Sequence, residues 1–251
     1  MGRPKKKVIL FVVEGHSDRA TLERPIKAML EDNPLEIEAE FLVADTDISS
    51  DRRHNPDNIL QKINHFYFEP FFSANDYYYP KDILEVVQIC DLDGTYVADD
   101  HCRQYTDRLW SESGFIYEPP FIYGATEAAV IDRNHRKAAN IDFLLNLDSI
   151  KVKTKTVPYS LLFFSINIEH FLYHKLNVPT REKINLGESF ADRYCNSPRD
   201  FYKRMISDEG AIMNCTVEES WNFIRSNGHS LEPFTNLGIF LKSLADQIGL
   251  E

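Results

Sequence analysis

The stretch Val8-Ile9-Leu10-Phe11-Val12-Val13, followed at once by Glu14-Gly15, decides the fold class. Six apolar residues in a row, most of them β-branched, read as a strand buried on both faces, as strands of a parallel sheet are. The run is too short for the core of a secretion signal and ends on a carboxylate. Residues 17–31 then open with a capping serine and set Ala20, Leu22, Ile26, Met29 and Leu30 near helical spacing. The unit is a strand, a turn and a helix.

Working outward, residues 37–43 read as a second strand, and a polar stretch over 45–56 leads into a helix over 58–68. The run 83–90 reads as a further buried strand that stops at Asp91. A helix is expected over 99–113, a strand over 115–123, a helix over 126–147 and a last buried strand over 157–164. Such alternation gives an α/β fold with a mostly parallel sheet flanked by helices. Beyond residue 179 the texture becomes helical, so residues 1–178 are expected to form an α/β catalytic domain with an insertion near 45–80, and residues 179–251 a helical C-terminal extension.

The formal charge of −11 over 251 residues argues against broad, non-specific attraction to nucleic acid, which needs a basic surface. It is compatible with a site built of carboxylates, whose field reverses when cations bind. The basic stretches at 3–7 and 151–155 read as a solvated terminus and a strand edge. Cysteines 90, 102, 195 and 215 form no CxxC pair and read as reduced thiols. No apolar stretch approaches the roughly 18 residues of a membrane span. A cytoplasmic protein without membrane association is expected.

In open α/β sheets ligands bind outside the carboxyl ends of the strands, so polar residues directly after buried strands carry weight. Three such endings stand out: Val13-Glu14-Gly15, Cys90-Asp91-Leu92-Asp93-Gly94, and Phe164-Ser165-Ile166-Asn167-Ile168-Glu169. Glu14 and Asp18, four apart across a turn into a helix, can share one face. Asp91 and Asp93 alternate on an extended segment, which points both the same way. Converging carboxylates repel, and the usual remedy is a hard cation such as magnesium.

At these residues the sequence resembles a known superfamily. VVEGHSDRATL at 12–22 and ICDLDG at 89–94 look like the glutamate and Asp-x-Asp motifs of Toprim domains, and the gap between them implies an insertion. FFSINIEHFLYH at 163–174 is similar to a later signature of the Toprim-like nucleases of phage-defence systems, of the overcoming-lysogenization-defect and RloB types. The resemblance implies a nuclease that cuts DNA or RNA, tRNA included, with Mg2+ or Mn2+. Glu14, Asp91 and Asp93 would be catalytic. Glu14, Asp18, Asp91, Asp93 and Glu169 would hold metal, and Ser165 and Asn167 would bind substrate. It also implies a lysine that no motif identifies and an ATPase partner encoded nearby.

Other readings compete. ICDLDGTYV also matches the first motif of haloacid-dehalogenase-type phosphatases, with Asp91 as nucleophile and Asp93 as general acid/base. That fold needs later paired aspartates, and only isolated candidates such as Asp192 and Asp208 follow. His170 and His174 have helical zinc-ligand spacing but lack the glutamate that makes such pairs specific. The aromatic run Phe66, Tyr67, Phe68, Phe71, Phe72, Tyr77, Tyr78 and Tyr79 suits a packed insertion, a base-stacking surface or a non-enzymatic binding module.

Overall fold

A computed structural model of the chain describes residues 7–44, 48–105, 114–226 and 228–250. Strand β1 (Lys7–Val13) leads into α1 (His16–Met29), and β2 (Ile37–Val43) lies parallel beside β1. The chain then crosses through α2 (Ile59–Ile63), a π-helical turn (Asn64–Phe68) and α3 (Glu69–Ala74) to β3 (Ile83–Asp91), parallel to β1 on its other side. A small outlying sheet follows, with β4 (Cys102–Gln104), β5 (Phe115–Glu118) and β6 (Phe121–Gly124) in the order β4-β6-β5. Helix α4 (Glu127–Leu145) returns the chain to β7 (Ser149–Val152) and β8 (Lys155–Phe164). Five short to medium helices complete it: α5 (Ile168–Tyr173), α6 (Thr180–Tyr194), α7 (Pro198–Ser207), α8 (Val217–Ile224) and α9 (Leu237–Ile248).

The main sheet runs β2-β1-β3-β8-β7, parallel except for β7. Its alternation explains the opening run of the sequence. Val8, Leu10 and Val12 enter one core and Ile9, Phe11 and Val13 the other, so no position on β1 after Lys7 meets water and none is polar. The first core is closed by Ile48, Ile59, Ile63, Tyr67, Phe68 and Phe71, with Trp221 of α8 reaching the Leu161 carbonyl at 3.1 Å. The helical segment 59–74 is therefore a layer over one sheet face, and of the aromatic run Tyr67, Phe68, Phe71 and Tyr78 are buried while Tyr77 and Tyr79 are exposed. The opposite core takes Phe190, Tyr194, Phe201, Leu241 and Leu244 from α6, α7 and α9.

The structure corrects two expected elements. Residues 99–101 make a single 3-10 turn, and Cys102–Gln104 is a strand rather than helix because it pairs in parallel with β6; the rest of the expected helix, 106–113, lies outside the described residues. The expected strand over 115–123 is two antiparallel strands, broken at Pro119-Pro120, where two residues lack the N–H a ladder needs. Among the described residues no helix is long and apolar enough to cross a membrane.

Strands β1 and β3 are neighbours, yet the chain leaves β1 toward β2 on one side and returns to β3 on the other. Their carboxyl ends flank a topological switch point, the place where open α/β sheets bind ligands. Because α6, α7 and α9 share a core with β1, truncating Phe201 to alanine is expected to cost about 3–5 kcal/mol, and urea unfolding followed by circular dichroism and tryptophan fluorescence should still show one coincident transition. Two separated transitions would mean that the C-terminal helices unfold on their own.

Candidate functional site

Glu14 follows β1 directly. Its Oε1 accepts from Ser49 Oγ at 2.8 Å, and its Oε2 accepts from the Asp91 N–H at 3.3 Å and lies 3.4 Å from Lys137 Nζ. Asp91 closes β3. Asp18 sits in the first turn of α1, where the helix N-terminus favours an anion, and accepts from the Gly15 N–H at 3.0 Å. Glu169 occupies the same place on α5, beyond β8, and is 2% exposed. The three sequence signatures thus meet at adjacent strand ends.

The carboxylates divide into two groups. Asp18, Asp91 and Glu169 surround Lys183 of α6, whose Nζ lies 3.2 Å from Glu169 Oε2. Glu169 Oε1 is buried with no hydrogen-bond partner among the described residues. Burial, reinforced by Glu169, pushes the Asp18 carboxyl up to about 7 against the opposing pull of Lys183 and the Gly15 N–H. Burial, then Asp18, likewise raises Asp91 well above the usual carboxylate range. Lys183 is itself held up, because Glu169, Asp91 and Asp18 outweigh its desolvation.

The second group is Glu14 and Asp93. Fully buried Lys137 reaches Asp93 Oδ2 at 2.7 Å as well as Glu14, while the Tyr117 hydroxyl donates to Asp93 Oδ1 at 2.9 Å and Arg133 Nη1 stands 3.6 Å from Asp93 Oδ2. The expectation that Asp91 and Asp93 point the same way from an extended segment is corrected here. Strand β3 ends at Asp91, and the N–H groups of Leu92, Asp93 and Gly94 are taken by the Phe164, Ile166 and Ser165 carbonyls. The chain therefore turns, with Asp93 at φ +52° and Gly94 at φ +69°. A side chain at Gly94 would also meet Leu231 at 2.5 Å and Ile122 at 2.8 Å.

Other expected residues serve the framework. Ser165 is 1% exposed, its hydroxyl donating to the Glu232 carbonyl and accepting from the Phe234 N–H at 3.0 Å. Asn167 caps α5, its Oδ1 accepting from the His170 N–H at 3.0 Å. Asp192 pairs with Arg24 and Asp208, at the end of α7, with Arg204, so each is engaged by an arginine and the two do not form the paired aspartates of a phosphatase magnesium site. Lys175 is exposed and pairs with Glu182. Sequence reasoning missed Ser49, Tyr117, Arg133, Lys137 and Lys183. For α4 a signal existed: Arg133, Asn134, Lys137 and Asn140 make a buried polar stripe at helical spacing.

Among the described residues no three His, Cys, Asp or Glu side chains already stand as a metal-ligand set. The donor chemistry nevertheless fits a hard cation. Five carboxylates face Arg133, Lys137 and Lys183, all the groups are buried or half-buried, and Glu169 keeps an unpartnered oxygen. Coordination by Asp18, Asp91 and Glu169 requires side-chain rotation from the arrangement seen. No family model, curated protein or solved structure matches the chain, so the functional reading rests on this geometry.

The Asp18 shift fixes a pH dependence. Between its ordinary value of 3.8 and about 7 the folded chain binds the proton more tightly than the unfolded chain, so stability falls as pH rises through that window. The loss is on the order of a few kcal/mol. Asp18→Asn, which keeps an acceptor for the Gly15 N–H, should flatten the decline of the urea midpoint between pH 4 and 7; an unchanged slope would place the Asp18 proton elsewhere.

Proposed function

We propose that the chain is a divalent-metal-dependent nuclease that cleaves phosphodiester bonds of DNA or RNA, acting in the cytoplasm. The observation that carries this reading is the gathering of buried Asp18 and Glu169 and half-buried Asp91, from beyond the ends of three different strands, around a single lysine. Structural ion pairs come charge-balanced, whereas surplus buried carboxylate at a switch point suits a cation that arrives with substrate. The resemblance of the same residues to Toprim-like defence nucleases supports the chemistry and extends the proposal to a phage-defence role with a nearby-encoded ATPase partner.

Asp18, Asp91 and Glu169 would hold Mg2+ or Mn2+, which supplies Lewis acidity and charge neutralisation at a phosphodiester. Glu14 is the candidate proton acceptor. Its carboxylate is aimed by Ser49 and the Asp91 N–H, while the Lys137 ammonium stands beside it. Asp93 fixes Lys137 and, with Tyr117 and Arg133, closes the second group. Lys183, a quarter exposed, is placed to offset charge on a phosphoryl oxygen. Ser165 and Asn167 hold the β8 end in shape.

Plasmid DNA and total tRNA should be cut with magnesium or manganese. Asp91→Asn and Glu169→Gln should abolish cutting and the metal-induced rise in Tm, whereas Glu14→Gln should cut at least about 100-fold more slowly yet keep the Tm rise. Intact nucleic acid with no Tm response to metal would overturn the reading. Turnover of small phosphate esters that Asp91→Asn abolishes and Glu14→Gln leaves intact would instead mark a phosphatase.

A further inference from the structure

Strands β3 and β8 run parallel, so the carboxyl ends that carry Asp91 and Phe164 lie together. Their amino ends, at Ile83 and Lys155, lie together as well, roughly 30 Å from the carboxylates. Four lysines gather there: Lys81 just before β3, and Lys151, Lys153 and Lys155 in the hairpin of β7 and β8. Lys155 Nζ donates to the Lys81 carbonyl at 3.2 Å and to the Ile83 carbonyl at 2.6 Å, which fastens the hairpin to the segment before β3. Lys81, Lys151 and Lys153 are exposed.

Aromatic rings stand among these lysines. Phe72, Phe71, Tyr78 and Tyr77 form a ladder with successive ring centroids 5.1, 5.4 and 4.6 Å apart. Lys153 Nζ lies 4.7 Å from the Phe72 centroid at one end of the ladder, and Lys81 Nζ lies 5.4 Å from that of Tyr79. Among the described residues four large apolar side chains are exposed, and Tyr77 and Tyr79, each nearly half exposed, are two of them. The neighbouring carboxylates are mostly engaged. The Tyr78 hydroxyl stands 2.8 Å from Glu38 Oε2 and 2.9 Å from Glu40 Oε1, Lys27 reaches Glu40 at 3.3 Å, and buried Asp82 accepts from the Tyr79 N–H at 2.9 Å. In residues 75–82 the exposed carboxylate is Asp76.

We propose that this end of the sheet is a docking surface for single-stranded nucleic acid, with the lysines on backbone phosphates and Tyr77 and Tyr79 stacked on bases. Lysines alone suit any polyanion, whereas exposed rings held beside them suit one that carries bases. Packing of Phe71 and Tyr78 and the two bonds of Lys155 hold the surface in place, so little ordering opposes binding. The net charge of −11 does not oppose it either, because a ligand responds to charge within about one Debye length, about 8 Å at physiological salt. That the surface retains substrate for cleavage rests on the nuclease reading; that it binds a strand does not.

The test is fluorescence anisotropy of a fluorescein-labelled 20-nucleotide single strand in EDTA over a salt series. Wild type is compared with Lys81→Gln/Lys153→Gln, Tyr79→Ala and Asp76→Asn. All four positions are exposed, so the fold should survive, which an unchanged urea midpoint checks. The lysine pair should bind about ten-fold more weakly, and its slope of log K against log salt should drop by about 1.4, as expected when two phosphates are no longer neutralised. Tyr79→Ala should weaken binding about ten-fold with the slope unchanged, and Asp76→Asn should tighten it. Wild-type affinity and slope in the lysine pair would overturn the surface. A lysine effect without a tyrosine effect, with heparin or phosphatidylserine vesicles bound as tightly as the strand, would overturn the nucleic-acid assignment. Cutting with manganese alongside wild-type binding by the lysine pair would remove the surface and leave the nuclease; lysine-dependent binding without cutting would do the reverse.

Discussion

A buried ammonium between two carboxylates sets the geometry of the site. Lys137 has no access to solvent, and an unpaired charge there would cost several kcal/mol. It is tolerated because Glu14, from the end of β1, and Asp93, from the turn after β3, both reach it. The same pair of contacts ties α4 to the two central strands across the switch point. Tyr117 then links the outlying sheet to Asp93, so that β5 is positioned by the ion-pair network as well as by its own packing through Ile122 and Val130.

What the sequence disclosed follows from how many forces act on each residue. Strand β1 was legible because burial on both faces permits only apolar side chains, and Glu14 and Asp91 were legible because a carboxylate directly after such a run has one place to go. The turn at Asp93 was not. Alternation predicted an extended Asp-x-Asp, but the backbone N–H groups there are claimed by carbonyls of the β8 loop, a partner more than seventy residues away in sequence. Cys102–Gln104 failed as a helix for the same reason, since three residues of parallel pairing with β6 outweighed local propensity. The α4 stripe was visible as polar residues at helical spacing, yet only the fold shows that the stripe faces inward.

Lys183 is the least legible member of the site, and the packing of α6 explains why it is there. Helix α6 crosses α1 at Gly187, where an added Cβ would stand 2.6 Å from Thr21 Oγ1 and 2.9 Å from the Ser17 carbonyl. Such close approach needs the small residue. One turn earlier on α6, Lys183 is thereby carried over the first turn of α1, within reach of Asp18, Asp91 and Glu169. A residue with no motif of its own acquires its role from the spacing between Gly187 and itself, through a helix that composition alone assigned to an appendage. The residues beyond 179 consequently contribute to the electrostatics of the carboxylate cluster, and any change in how α6 seats on α1 alters the charge that Asp18 and Asp91 experience.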